Sequence, residues 1–248
     1  MIRSISTLFL SVVLFCLPLL AAAAPGLTLT SIAVKPQDAP KVIAAIDEYM
    51  NSSVGKQFKG RLLLQQHVAD GADPSTHSIV QLFHSAAEAE AFAKLSQASP
   101  EAWGKLMDAL GPISQPVFTG RMTTLQSWGD INDTDNVWFV NYFSVSDTPA
   151  YVAALDAWRA SPKGKSHPGQ AHLFGVVAGG MSPTTHIISA GYASIAEAEA
   201  YADSRATDPD WLKLGAALQK ASVRNGSSIV QTIKTWGPAT TKSLVPAQ

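Results

Sequence analysis

The chain has 248 residues, 46% hydrophobic and only 15% charged, and its 18 basic against 19 acidic side chains leave a formal net charge of −1. That length supports one large domain or two of about 100 to 125 residues, each with its own core. The near-neutral balance lacks the phosphate-neutralising charge that nucleic-acid binding needs and the basic face that holds an anionic membrane, so neither is an expected partner.

In chain order, Arg3 precedes an apolar run from Leu8 to Leu20, broken by Ser11 and Pro18, and then come Ala21, Ala22, Ala23 and Ala24. A basic start, an apolar centre and small residues at the cut mark a cleaved secretory signal. Pro25 disfavours a cut directly before it, so residues 1–23 are assigned to the signal peptide. The run is too short, and too broken at Pro18, for a transmembrane span. A secreted or periplasmic location follows. Cys16, the single cysteine, falls in the signal. The mature chain then has no thiol for disulfides, nucleophilic catalysis or metal clusters, which suits a bacterial periplasm and leaves His, Asp, Glu and Met as metal ligands.

Residues 24–129 contain strand, helix, strand, strand, helix, strand. Leu27 to Val34 is strand-like, and Asp38 with Pro40 opens a helix with apolar positions at Val42, Ile43, Ile46 and Tyr49. Arg61 to Val68 and Thr76 to His84 flank the breaker-rich turn Ala-Asp-Gly-Ala-Asp-Pro and predict a hairpin. Ser85 and Glu88 then form a capping box for a second helical stretch, and Arg121 to Trp128 closes the unit. Residues 130–136 hold three aspartates and two asparagines but lack the glycine and terminal glutamate of an EF-hand loop, which makes them a solvated linker.

Residues 137–237 repeat the pattern. Val137 to Val145 is a strand, and Asp147 with Pro149 opens a helix carrying Val152, Leu155 and Trp158. Ala171 to Val177 and Thr185 to Ala193 form a second hairpin, Ser194 and Glu197 a second capping box, and Ile229 to Trp236 the last strand. The correspondence extends to residues. Asp38, Asp47, Gly55-Lys56, Thr76-His77 and Ala87 to Ala91 recur 109 positions on as Asp147, Asp156, Gly164-Lys165, Thr185-His186 and Ala196 to Ala200. Near the ends the offset slips by one, so that Trp103 matches Trp211 and Trp128-Gly129 matches Trp236-Gly237. Matches in one order over this length define a tandem duplication. Residues 238–248 form a loosely held C-terminal tail.

The element order resembles the ferredoxin-like βαββαβ unit, and two such units in one chain resemble the dimeric α+β barrel superfamily with its two subunits fused. The fold class is therefore α+β: two ferredoxin-like repeats packed as a fused barrel after a cleaved signal peptide. Fusion implies a monomer with pseudo-two-fold symmetry. Cofactor-independent monooxygenases, small stress-responsive barrels, haem-binding peroxidases and chlorite dismutases share this architecture, but none of their catalytic motifs transfers residue by residue. Gly55-Lys56 and Gly164-Lys165 lie outside a phosphate-loop frame, and neither a G-x-S-x-G elbow nor an H-E-x-x-H helix occurs.

Centring the hairpin turns on Ala72 and Met181 sets His67 opposite His77, Gln65 opposite Ile79, Leu63 opposite Gln81 and Arg61 opposite Phe83, with His172, His186 and Tyr192 on the corresponding face of the second hairpin. The other face carries Leu62, Leu64, Val80 and Leu82, then Leu173, Val177 and Ile187, and suits covering helices. The polar face is expected to line the barrel interior as a ligand site made of Arg61, Gln65, His67, His77, Gln81, His172, His186 and Tyr192. His77 and His186 are the candidate catalytic residues because both copies keep them, although Thr-His is equally a feature of strand starts. His84 and His167 occur in one copy only and are expected to face solvent or helices.

The leading function is an exported protein binding a small organic molecule, with no cofactor and no metal assigned. The alternatives are a cofactor-independent oxygenase-like enzyme with a histidine base, a haem or copper/zinc site held by histidines, and a non-catalytic interaction module. Met181 is too near a turn tip to serve as a metal ligand.

Overall fold

The computed structural model describes residues 24–71 and 73–244. The segment expected to be a signal peptide, residues 1–23, the turn centre Ala72 and the last four residues of the tail lie outside the described residues. The first half contains β1 Gly26–Val34, α1 Ala39–Asn51, β2 Arg61–Ala69, β3 His77–Phe83, α2 Ala86–Gln97, α3 Pro100–Leu110 and β4 Ser114–Trp128. The second contains β5 Val137–Val145, α4 Thr148–Ala160, α5 Pro162–Lys165, β6 Ala171–Gly179, β7 His186–Tyr192, α6 Ile195–Arg205, α7 Pro209–Ala221 and β8 Ser222–Trp236. The second helical stretch of each half is thus two helices, interrupted where Pro100 and Pro209 each begin a new one, and proline suits that first position. Both capping boxes form, with Glu88 N–H donating to Ser85 Oγ and Glu197 N–H to Ser194 Oγ, each at 3.1 Å.

All strand pairs are antiparallel, and the strands close into a barrel in the order β1-β3-β2-β8-β5-β7-β6-β4. The final strand of each half is 15 residues long and pairs with the hairpin of the other half, β4 with β6 and β8 with β2. This exchange is reinforced at the strand ends. Trp128 Nε1 donates to Asp156 on α4 at 2.8 Å, and Trp236 Nε1 donates to Asp47 on α1 at 2.7 Å. The matched Trp-Gly and Asp positions therefore join the two halves.

Three apolar cores result: one inside the barrel around Leu29, Leu63, Val80, Met122 and Phe174, and one beneath the helices of each half. The matched glycines are packing devices. A Cβ on Gly55 would lie 2.2 Å from the Tyr49 carbonyl oxygen, and one on Gly164 would lie 1.9 Å from that of Trp158.

The hairpin register differs from expectation by one residue. Gln65 pairs with Ser78, Leu63 with Val80, and His172 with Ser189. Side chains alternate along a strand, so a one-residue slip inverts a whole strand face. β2 and β6 face as expected, whereas β3 and β7 are turned over. Val80 and Ile187 join the interior core rather than the helix-covered face. His77, Gln81, His186 and Tyr192 leave the expected interior site for that covered face.

Candidate functional site

The matched histidines occupy matched structural positions. Thr76 Oγ1 accepts from Val34 N–H at 2.8 Å and lies 2.9 Å from His77 Nδ1; Thr185 Oγ1 accepts from Val145 N–H at 2.9 Å and lies 2.9 Å from His186 Nδ1. Each threonine thus ties the start of one strand to the end of its neighbour, with the histidine ring held against it. Burial lowers the pKa of both histidines. Both Thr-His pairs thus occupy the same place at a strand start.

Of the other expected site residues, Gln65 and His172 do line a barrel-interior cavity of about 100 Å³. His172 is fully engaged there, its Nδ1 2.9 Å from Ser127 Oγ and its Nε2 3.1 Å from Gln170 Oε1, and burial brings its pKa down to about 4. His67 points inward and bonds to Asp70 and Ser78. Arg61 sits at the start of β2 and pairs with Asp133 of the linker, whose carboxylate also accepts from the Thr241 backbone N–H at 2.9 Å. The expected eight-residue site is therefore distributed over three regions.

A larger space, about 480 Å³, lies between sheet and helices of the second half. Alternation turns Asn141 and Phe143 of β5 and Ile188, Ala190 and Tyr192 of β7 outward to form its floor. α4 covers them with Leu155, Trp158 and Arg159, α7 with Trp211 and Leu214, while Arg205 and His167 stand at its margins.

The equivalent layer of the first half is filled. Counting back 109 positions, Phe58, Phe83 and Phe92 stand where the second half has His167, Tyr192 and Tyr201, Met50 where it has Arg159, and Leu62 where it has Ala171. Phe58 lies 5.6 Å from Phe83 and 4.9 Å from Phe92 between ring centroids, within a core that includes Ile32, Val34 and Ile46. His167 lies 5.0 Å from Tyr192 and 4.9 Å from Tyr201. The ring trio is retained while its edges become polar.

Among the described residues, the lining of this cavity includes Arg159, Arg205 and Arg224 and no carboxylate. Among the described residues none of the three arginines has an ion-pair partner. Arg205 lies over the Trp211 ring at 3.8 Å and near Tyr201 at 5.1 Å. Burial lowers the pKa of Arg159, but a guanidinium remains charged. His167 places Nδ1 2.8 Å from the Gly169 carbonyl oxygen and Nε2 3.1 Å from the Tyr192 hydroxyl. Burial, followed by the nearby Arg159 and Arg205, holds its pKa down at about 4 against the opposing Gly169 bond. The ring is neutral at ordinary pH. Both its nitrogens are hydrogen-bonded, and among the described residues no three His, Cys, Asp or Glu side chains converge on a metal position.

No family model and no curated protein matches the sequence. Solved structures do match. A candidate monooxygenase from Lactobacillus acidophilus NCFM aligns with a TM-score of 0.60 at 12% identity, over 88% of this chain and 97% of the other. An anthrone oxidase-like protein aligns with a TM-score of 0.58 at 16% identity, over 90% and 97%. They share its fold. A haem-binding protein from Thermus thermophilus aligns with a TM-score of 0.52 at 7% identity, over 85% and 92%. At these identities the common property is the α+β barrel architecture.

Arg159, His167, Arg205 and Asn141 were not among the sequence-derived candidates. Their signal is a difference between the copies: polar residues in the second half at positions where the first half has Met50, Phe58, Ser96 and Ile32.

Proposed function

We propose that the exported, monomeric chain binds a small planar aromatic molecule bearing an acidic group in the helix–sheet cavity of its second half. The observation that carries this reading is the replacement of Met50, Phe58 and Leu62 in a filled layer by Arg159, His167 and Ala171 around a space of about 480 Å³. That volume lies in the range of small-molecule sites. Phe143, Trp158 and Trp211 offer apolar and aromatic walls to rings, and the arginines, free of ion pairs, offer charge-assisted hydrogen bonds to an anion. The absence of lining carboxylates favours acids over amines.

Binding is favoured over base catalysis by His167 itself. An imidazole with a pKa of about 4 is a weak proton acceptor at neutral pH, although it hydrogen-bonds well as a neutral ring. Native mass spectrometry of the mature protein after incubation with a panel of aromatic acids and amines tests the reading. Retention of the acids, without oxygen uptake or product formation, is expected. Selective retention of amines, or of haem bound through His167, would replace it.

A further inference from the structure

The barrel interior contains a hydrogen-bonded relay outside the helix–sheet cavity. His67, near the end of β2, places Nδ1 2.6 Å from Asp70 Oδ2 and Nε2 2.7 Å from Ser78 Oγ. Ser78 Oγ lies 3.1 Å from Ser31 Oγ. With Ser31 donating to Ser78, Ser78 to His67 Nε2 and Nδ1–H to Asp70, each proton has one acceptor. The His67 side chain is only 3% exposed, which restricts the ring to this orientation.

Ser78 lines the interior cavity of about 100 Å³, and Gln65, its register partner on β2, lines the same cavity. The Gln65 amide is held by no hydrogen bond among the described residues and is not a sealed, unsatisfied group. A nucleophilic hydroxyl and an amide donor therefore share one cavity, and the base and the carboxylate that orients it are hydrogen-bonded in series behind the hydroxyl. A space of about 100 Å³ suits a short acyl group.

We propose that Ser78, His67 and Asp70 form a serine-nucleophile site for esters of short acyl groups. Ser78 Oγ attacks the ester carbonyl carbon as its proton passes to His67 Nε2, and the Gln65 amide donates to the resulting oxyanion. Collapse breaks the carbon–oxygen bond to the alcohol, which leaves with the proton from Nε2, and the acyl group remains on Ser78. Water then attacks the acyl carbon, giving its proton to Nε2; the acid departs and the proton returns to Ser78. Asp70 is a positioning residue that fixes the ring by accepting from Nδ1–H.

Methanesulfonyl fluoride is a probe small enough for the cavity. Ser78 Oγ bonds to its sulfur, the S–F bond breaks, and fluoride leaves with the serine proton by way of His67. Peptide mapping of the full mature chain should find one sulfonyl adduct, at Ser78, with none in Ser78→Ala. His67→Ala and His67→Gln should each slow labelling about 100-fold or more.

The titratable neighbours are Asp70, bonded to His67, Asp73 and Tyr142 near Asp70, and His77 on the opposite face of the sheet. Asp70→Asn leaves the His67 ring without its anionic partner, so labelling should slow, and Asp70→Glu should restore part of the rate. Unslowed labelling in Asp70→Asn overturns the role of Asp70. No adduct at Ser78 of the unaltered protein, or equal labelling rates with and without His67, overturns the site regardless of how the variants fold.

Discussion

The Trp236 indole donates to Asp47, 189 residues earlier in the chain, at 2.7 Å, while Trp128 donates to Asp156 in the reciprocal direction. Each half supplies the tryptophan at the end of its last strand and receives the other's on its first long helix. The barrel is therefore held across both seams by hydrogen bonds as well as by strand pairing. Trp236→Phe keeps most of the ring and removes the donor, and should cost about 1.5–3 kcal/mol in urea unfolding. A loss below ~0.3 kcal/mol would show that the bond contributes little to stability.

Asp47 adds a pH dependence. The Lys234 ammonium, then the Trp236 indole, holds its pKa below the ordinary value of 3.8. A carboxylate with a lowered folded-state pKa contributes stability above its unfolded pKa, and that contribution is lost as pH falls through the folded one. Unfolding midpoints measured from pH 5 down to pH 2 should therefore fall less steeply in Asp47→Asn than in the unaltered protein. Because Asp47 is substantially solvent-exposed, the difference should be small and should shrink with added salt. A steeper acid dependence in the variant would contradict the assignment.

Histidine burial acts in the neighbouring range. His167 and His172 both have pKa values down at about 4, so between pH 6.5 and pH 4 the unfolded chain binds protons that the folded chain refuses. Stability should fall on acidification through that window, by up to about 1.4 kcal/mol per pH unit for each histidine. His167→Phe, which restores the first-half residue, should remove one proton's share of that slope and leave the share of His172. Unchanged slope in calorimetric unfolding would show that His167 is not held neutral.

The duplication made the barrel legible in the sequence. Matched Asp47 and Asp156, Gly55 and Gly164, and both Thr-His pairs all take equivalent places in the packing of the two halves. The faces of β3 and β7 were not legible because the hairpin pairs Gln65 with Ser78 rather than with Ile79, and one residue of register inverts every side chain. The helix–sheet cavity was obscured for another reason. Its residues are those in which the repeats disagree, and His167 pairs in sequence with Phe58.

The two threonines provide a control on that distinction. Thr185→Val should cost about 0.5–1 kcal/mol by removing the exposed acceptor of the Val145 N–H. His186→Gln should leave affinity for aromatic acids within about twofold. A tenfold loss of affinity in His186→Gln with unchanged stability would return the site to the matched histidines.

Cavity filling tests where the ligand sits. Ala171→Leu restores the residue found at Leu62 and adds bulk to the lining of this cavity. Binding should weaken about tenfold or more, with stability changed by no more than about 1 kcal/mol. Undiminished binding would place the ligand outside this cavity.

The central claim is that the second half's arginines recognise an acid on an aromatic ring. It is tested most directly by isothermal titration of 2-naphthoate and its neutral amide into the unaltered protein and into Arg159→Met, which carries the first-half residue. The acid should bind the unaltered protein and lose about 10- to 100-fold in affinity in the variant, or about 1.4–2.8 kcal/mol, while the amide binds both weakly and alike. Equal affinity for acid and amide, or an acid that binds the variant as tightly as the unaltered protein, would contradict the account.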